Sequence, residues 1–319
     1  MTAYRFCRSD DITLLSDALN RCWVPYFPDE PPMTPATFKR SIRDLQVWSS
    51  SCMVAFSGSD PIGVLIGAKR PSGTLIHKIA VHPDHLRQGH GRHLLTSLSS
   101  KLAILGPPRI VAEVPETLSA ACELFSASGF VQEALLTDYV FHPGQRGEQD
   151  APEVAEMSAE APGAKADDHD GRFVIPVTVD DLAANGLLGE ASPSASAEQV
   201  HQVCWGRSVE TLTAMKEDIA GLAVASNERI EAYVLYQQSS PHDACGASGA
   251  VAEILSLRTF TERGGAHLRQ LFAQLLARGI GTVRFRKVHP EEISKENLER
   301  LGFRAATVHR LYAARAQPA

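Results

Sequence analysis

The stretch Ile76-His77-Lys78-Ile79-Ala80-Val81-His82-Pro83-Asp84-His85-Leu86-Arg87-Gln88-Gly89-His90-Gly91-Arg92-His93-Leu94-Leu95-Thr96-Ser97-Leu98 reads as a strand, a turn and a helix in direct succession. From Leu75 to Val81 large apolar residues alternate as on a pleated strand, and Pro83-Asp84 stops the run because proline has no N–H for a sheet ladder. The turn Arg87-Gln88-Gly89-His90-Gly91-Arg92 leads straight into leucines at helical spacing. Glycines at a helix start let backbone N–H groups converge, the helix end carries roughly +0.5 charge, and arginines on both sides add cations. A pyrophosphate fits that cradle. A plain strand-to-helix turn, with glycines placed for tight packing, fits the same letters, so the surroundings must decide.

Working outward, Arg109 to Val114 reads as a second strand, Leu118 to Ser128 as a helix closing on Gly129-Phe130, and Leu135 to Phe141 as a further strand. Upstream, the connection from Asn20 to Thr34 is rich in aromatics and prolines and joins two helices. Its Trp23, Tyr26 and Phe27 can form an apolar wall while Asp29 and Glu30 attract an amine; equally, the aromatics can simply pin the loop.

The same pattern recurs later in the chain. Met33-Thr34-Pro35 onward lies over Arg207-Ser208-Val209 onward, Met53 to Gly67 over Leu222 to Tyr236, and the glycine turn at Gly89 over Arg263-Gly264-Gly265-Ala266. Gly129-Phe130 has its counterpart in Gly302-Phe303. Between Gln145 and Gly171 the chain is dominated by Ala, Glu, Asp, Gly and Pro, which cannot offset the entropy of its own ordering. The expected organisation is therefore two copies of one α/β fold, residues 1–144 and 172–319, around a linker at 145–171. In each copy the order reads helix pair, strand, turn, two strands, glycine turn, helix, strand, helix, strand.

At 319 residues the chain has room for two cores, and 44% hydrophobic with 21% charged residues is ordinary for globular proteins. A net charge of −6 gives no global field favouring nucleic acid or an anionic membrane, and no stretch approaches the ~20 apolar residues that span a bilayer. MTAYRFCRSDD lacks the apolar core of a signal peptide, so a cytoplasmic location is expected. The six cysteines lie far apart without CxxC pairs and read as reduced structural thiols. His82/His85 and His90/His93 have spacings that zinc can use, but no cysteine or acid completes a set, so no metal is expected. No G-x-G-x-x-G follows the first strand with an acid at the offset of a dinucleotide site.

Ile79-Ala80-Val81-His82-Pro83 followed by Arg87-Gln88-Gly89-His90-Gly91 resembles motif A of the GNAT superfamily of N-acetyltransferases, with Leu86 where the family usually has Gln or Arg. Glu113-Val114, Ala121, Leu124 and Gly129-Phe130 match the family's second landmark, with Leu118 replacing an Asn and Phe125 a Tyr. The resemblance implies two tandem GNAT-type mixed-sheet domains with helices on both faces. It also implies acetyl-CoA as co-substrate, held by main-chain groups of Ile79, Ala80 and Val81 and by the turn Arg87, Gln88, Gly89, His90, Gly91 and Arg92. Acyl transfer would go directly to an amine of a small molecule or peptide, with oligomerisation open. The tyrosine replaced by Phe125 is the family's usual proton donor to the leaving thiolate, so another group serves or the thiolate leaves unassisted.

A base is also required, because a protonated amine cannot attack a thioester. Glu113 stands where some relatives keep theirs, and His77, with an ordinary pKa near ~6.5, is the second candidate. Strict alternation puts His77 on the face of Ile79 and Val81, in tension with that role. Tyr139 is the candidate to replace the missing acid. The resemblance extends to the C-terminal copy, where Glu253 to Leu257 corresponds to the cofactor strand. There Glu262 enters the glycine turn and Leu298 takes the tyrosine position, so that copy is expected to be degenerate.

Overall fold

Helical and strand periodicities set the local structure. After a strand at Thr2–Phe6 (β1), Leu15, Ala18, Leu19 and Cys22 bury one stripe of the helix Ile12–Cys22 (α1), the three- and four-residue spacing of an α-helix. Thr34 caps the next helix, Pro35–Leu45 (α2), its hydroxyl accepting from the Thr37 N–H at 3.1 Å with Pro35 in the first turn. Strands Met53–Ser57 (β2), Asp60–Arg70 (β3) and Gly73–Val81 (β4) follow. The half closes with helix His90–Leu105 (α3), strand Arg109–Pro115 (β5), helix Ser119–Ala127 (α4) and strand Val131–Phe141 (β6).

The second half repeats the order with Phe173–Pro176 (β7), Val179–Ala184 (α5), Val209–Ala214 (α6), Ala220–Ala225 (β8), Ile230–Ser239 (β9) and Ala250–Thr259 (β10). Gly264–Ala277 (α7), Ile280–Val288 (β11), Lys295–Arg300 (α8) and Arg304–Arg315 (β12) complete it. Each half thus begins with a strand that the sequence reading left out; both are four- or five-residue edge strands, too short for alternation to register. The computed structural model describes residues 2–143, 172–188, 203–239, 250–261 and 264–318. The linker expected at 145–171, Cys245 and Glu262 lie outside them.

The chain forms two compact units, Met1–Leu136 with Val308–Ala319, and Thr137–Thr307. The packing therefore departs from a sequential division into 1–144 and 172–319, because each half lends the end of its last strand to the other half's sheet. In the first unit the strand order is β1-β2-β3-β4-β5-β12, with β4 and β5 parallel and the other pairs antiparallel. There β12 runs along β5 from Arg315↔Arg109 to His309↔Pro115. In the second unit the order is β6-β11-β10-β9-β8-β7, with β10 and β11 parallel and Tyr139 of β6 opposite Phe285 of β11. Both sheets are mixed, as an α/β fold of this type requires.

In the first unit Leu94, Leu95, Leu98 and Leu102 of α3 pack with Cys122 and Phe125 of α4, Phe130, and Tyr312 of β12 over Ile76, Ile110, Ala112 and Val114. On the opposite face α1 packs on β3, where the alternate residues Val64 and Ile66 are buried. In the second unit Leu268, Leu271, Phe272 and Leu275 of α7 take the corresponding place over Val283 and Phe285.

Candidate active site

β4 and β5 are in register for only two residue pairs, Thr74↔Ile110 and Leu75↔Val111, although β4 continues to Val81 and β5 to Pro115. Beyond Leu75 the strands separate. On its other edge β4 remains paired with β3 as far as Val81↔Gly63, so the edge of Ile76 to Val81 that faces β5 is not taken up by a strand.

The separation coincides with an irregularity. Against β3 the register passes from Ile66↔Lys78 to Gly67↔Ile76, which makes His77 an extra residue, a β-bulge. Packing records the consequence: Ile76 and Ile79, three apart, both contact the apolar cluster built on α3, which unbroken alternation forbids. The expected facing of His77 with Ile79 and Val81 rested on that alternation, and the bulge removes it. Gly67 is the residue β3 needs opposite this point, since a Cβ there would meet the Ser51 carbonyl oxygen at 2.5 Å.

Lys78, next to the bulge, turns to the other face. Its Nζ lies 3.8 Å from the Trp23 ring centroid and 3.3 Å from Glu30 Oε2. The Trp23 indole N–H donates to the same oxygen at 3.0 Å, and Phe27 stacks on Trp23 at 4.4 Å. The Tyr26 hydroxyl donates to the Val81 carbonyl at 2.6 Å, and burial raises its pKa. The aromatic connection between α1 and α2 is thus fastened to the outer half of β4, and the carboxylate expected to draw an amine, Glu30, has a cation of the chain itself beside it. Lys78 is not among the site residues expected from the sequence; its local signal is the charge that interrupts an apolar strand.

At the turn, Gly89 caps α3 with φ 84°, in the left-handed region glycine favours, and Arg87 two residues before it has φ 61°. The His93 N–H bonds the Gly89 carbonyl at 3.0 Å, so the N–H groups of His90, Gly91 and Arg92 stand in the helix's first turn without an intrahelical acceptor. A Cβ on Gly91 would lie 3.0 Å from Leu124 Cδ2. Arg87 pairs with Glu123 at 3.7 Å on the surface, Arg92 Nη2 donates to the Ala127 carbonyl at 3.3 Å, and Gln88 is exposed. Ala80 is buried, Ile79 and Val81 partly so.

His90 differs from its neighbours, for its ring turns inward. Tyr4 Oη lies 2.6 Å from His90 Nδ1, and the His93 ring packs on Tyr4 at 3.8 Å between centroids. His90 Nε2 is buried without a hydrogen-bond partner among the described residues. Burial, then the neighbouring His85 and His93, depress its pKa. Any contact of His90 with a ligand in the cleft is accordingly a main-chain one. Among the described residues no three of His, Cys, Asp and Glu converge as a metal would need.

Glu113 lies on β5 opposite Leu311, partly buried. Its neighbours Ala112 and Val114 belong to the cluster under α3 and α4, so alternation sends Glu113 to the opposite face, the one Lys78 occupies. Phe125 is 2% exposed, edge-on to Phe130 and nearly parallel to Tyr312 at 5.7 Å. Tyr139 is not gathered here: it belongs to the second unit, 5% exposed in the cluster with Phe285 and Leu271, and burial raises its pKa. The strand exchange, absent from any local pattern, is what moves it.

In the second unit β10 carries the same irregularity, the register against β9 stepping from Ile254↔Tyr236 to Ser256↔Leu235 around Leu255. Pairing of β10 with β11 ends at Ile254↔Phe285. Leu298, at the tyrosine position, is wholly buried. The buried thiols of Cys7, Cys22 and Cys52 are free, their pKa values pushed by burial to about 12, about 11 and about 12.

Residues 13–130 match the model of the acetyltransferase (GNAT) family. Over the whole chain the fold is similar to a tandem GNAT protein from the clavulanic acid biosynthesis pathway, at 14% identity, 100% of each chain and a TM-score of 0.62. A GCN5-related N-acetyltransferase from Sphaerobacter thermophilus is similar at 15% identity over 99% of this chain and 96% of its own, with a TM-score of 0.62. A probable N-acyltransferase from Enterococcus faecalis is similar at 12% identity over 100% and 73%, with a TM-score of 0.59. No curated protein matches in sequence. No described helix is long and apolar enough to cross a membrane. Taken with the splayed β4 and β5, the bulge and the glycine turn at the start of α3, these matches give residues 13–130 the pattern of the acetyltransferase (GNAT) family and the whole chain a fold similar to that of tandem GNAT proteins.

Proposed function

We propose that the chain is an acetyl-CoA-dependent N-acyltransferase acting from its first unit on an amine of a small molecule or peptide in the cytoplasm. The observation that carries the reading is the open edge of β4 beyond Leu75, which leads from the bulge at His77 to the unpaired amides at the start of α3. The fit is chemical: an edge of main-chain donors and acceptors suits the amides of a pantetheine arm, and a helix N-terminus behind Gly89 and Gly91 suits a pyrophosphate. A Cβ on Gly91 would meet Leu124 Cδ2 at 3.0 Å, so glycine there suits the close packing of the start of α3 against α4 that sets the turn.

Bound acetyl-CoA supplies the thioester. Glu113, on the face shared with Lys78, or His77 at the bulge takes the proton from the amine, directly or through water, so that nitrogen attacks the carbonyl without a covalent acyl-enzyme. With Phe125 buried and the Tyr139 ring packed in the cluster around Phe285, neither offers a phenol to protonate the thiolate in this reading, and it leaves unassisted. The second unit serves structurally in this reading. Thiol release with a panel of amines tests it: Glu113→Gln or His77→Gln should lower kcat by the ~10²–10⁴-fold that general base catalysis contributes, while acetyl-CoA still binds. The buried Phe125 favours one other reading, a non-catalytic acyl-CoA binder, which binding without turnover on any amine would establish.

A further inference from the structure

Within the first unit, a cavity of about 690 Å³ opens where β3 ends, with Arg8, Gln46, Trp48, Lys69 and Arg70 among its lining residues. It lies at the far end of β4 from the glycine turn: Arg70 pairs with Gly73, the first residue of β4, and the strand then runs roughly 26 Å to Val81 at about 3.3 Å per residue. The proposed catalytic cleft does not include it.

The lining has a one-sided chemistry. Arg8, Lys69 and Arg70 contribute three cations and the lining residues include no carboxylate, while Asp11 beside them accepts the Arg8 backbone N–H at 2.7 Å and offsets part of the Arg8 charge. Arg70 is 4% exposed, its Nε donating to Gln46 Oε1 at 2.7 Å. Gln46 is the left-handed C-cap that ends α2, with φ 59°. Lys69 donates one ammonium hydrogen to the Leu105 carbonyl at 2.9 Å, which leaves two. It also lies 6.0 Å from the centroid of Trp48, whose indole is 54% exposed.

We infer that this cavity binds a planar organic anion, its oxyanion held by Arg8 and Lys69 above the buried Arg70 and its ring laid against Trp48. The volume lies within the ~300–1,000 Å³ of small-molecule sites and is far larger than a bare inorganic anion needs. An exposed indole supplies a flat apolar face, and guanidinium groups both fork onto oxyanions and stack on rings. Carboxylate and phosphate share this chemistry, and the probes below separate them.

Calorimetric titration of the full chain with indole-3-acetate, its neutral amide, AMP and inorganic phosphate tests the site. Indole-3-acetate or AMP should bind saturably, the former marking a carboxylate and the latter a phosphate ligand, with the neutral amide and inorganic phosphate at least tenfold weaker. An Arg8→Gln/Lys69→Gln double variant and, separately, Trp48→Ala should each weaken the anion at least tenfold; both changes are at exposed or partly exposed positions, and circular dichroism verifies their folding. Saturation by none of the probes, equal binding of the neutral amide or of inorganic phosphate, or AMP binding unchanged in the variants would overturn the inference.

Discussion

Tyr312→Ala isolates the exchange of last strands. Tyr312 comes from the far end of the sequence, yet its ring is 2% exposed inside the first unit, opposite Ala112 of β5 and nearly parallel to Phe125. A buried aromatic of roughly 150–250 Å² at about 25 cal/mol per Å² sets an upper bound of about 4–6 kcal/mol. Measured truncations of this kind cost roughly 3–5 kcal/mol, because the neighbours collapse only partly into the cavity. In a unit of this size that corresponds to a fall in melting temperature of roughly 6–20 °C, at about 2–4 °C per kcal/mol.

Hydrogen exchange read by mass spectrometry gives the location. Protection should drop in β5 and α3 and hold in β11 and α7. Leu298→Ala, in the second unit's core, should show the reverse. Loss of protection in β11 and α7 from Tyr312→Ala, with β5 unaffected, would refute the strand exchange.

Gly91→Val forces γ-carbons onto Leu124, already 3.0 Å from a built Cβ, at a cost of about 1–3 kcal/mol, and should raise KM for acetyl-CoA more than it lowers kcat; an unchanged KM counts against the turn's assigned role. His90 has a pKa below its unfolded value near ~6.5, so the unfolded chain takes up its proton first and stability falls as pH drops from above 6.5 through the folded value. The loss of melting temperature between pH 7.5 and 5.5 should therefore be smaller in His90→Gln, and an identical loss would contradict the buried neutral ring. Arg207, 4% exposed, holds both oxygens of Glu292 at 2.6 and 2.7 Å, so Arg207→Ala leaves a largely buried carboxylate and should cost about 3–5 kcal/mol in urea unfolding; under ~1 kcal/mol would show the pair to be solvated.

Local pattern made much of this molecule legible. The alternation from Leu75 to Val81, the glycines at 89 and 91 and the leucines at 94, 95 and 98 each act within a few residues, and strand, turn and helix form where those residues stand. The duplication was legible for the same reason, since both halves repeat the local signals. Register was not: the bulge at His77 exists only relative to β3, and it undoes the facing that alternation assigned to that residue. Nor was the strand exchange, since β6 and β12 carry no local mark of which sheet they join. That non-local choice sets Tyr139 opposite Phe285 of β11 and brings Tyr312 to β5. Lys78 shows a third limit, because an inward-facing charge becomes intelligible only once Trp23 and Glu30 are seen beside it.

Thermal unfolding of the full chain with and without millimolar acetyl-CoA tests the central claim most directly. At 100 times its dissociation constant the ligand adds about 2.7 kcal/mol, which raises the first unit's melting temperature by roughly 5–11 °C. The account predicts that rise, and its loss in Gly91→Val. A melting temperature unmoved by acetyl-CoA would contradict it.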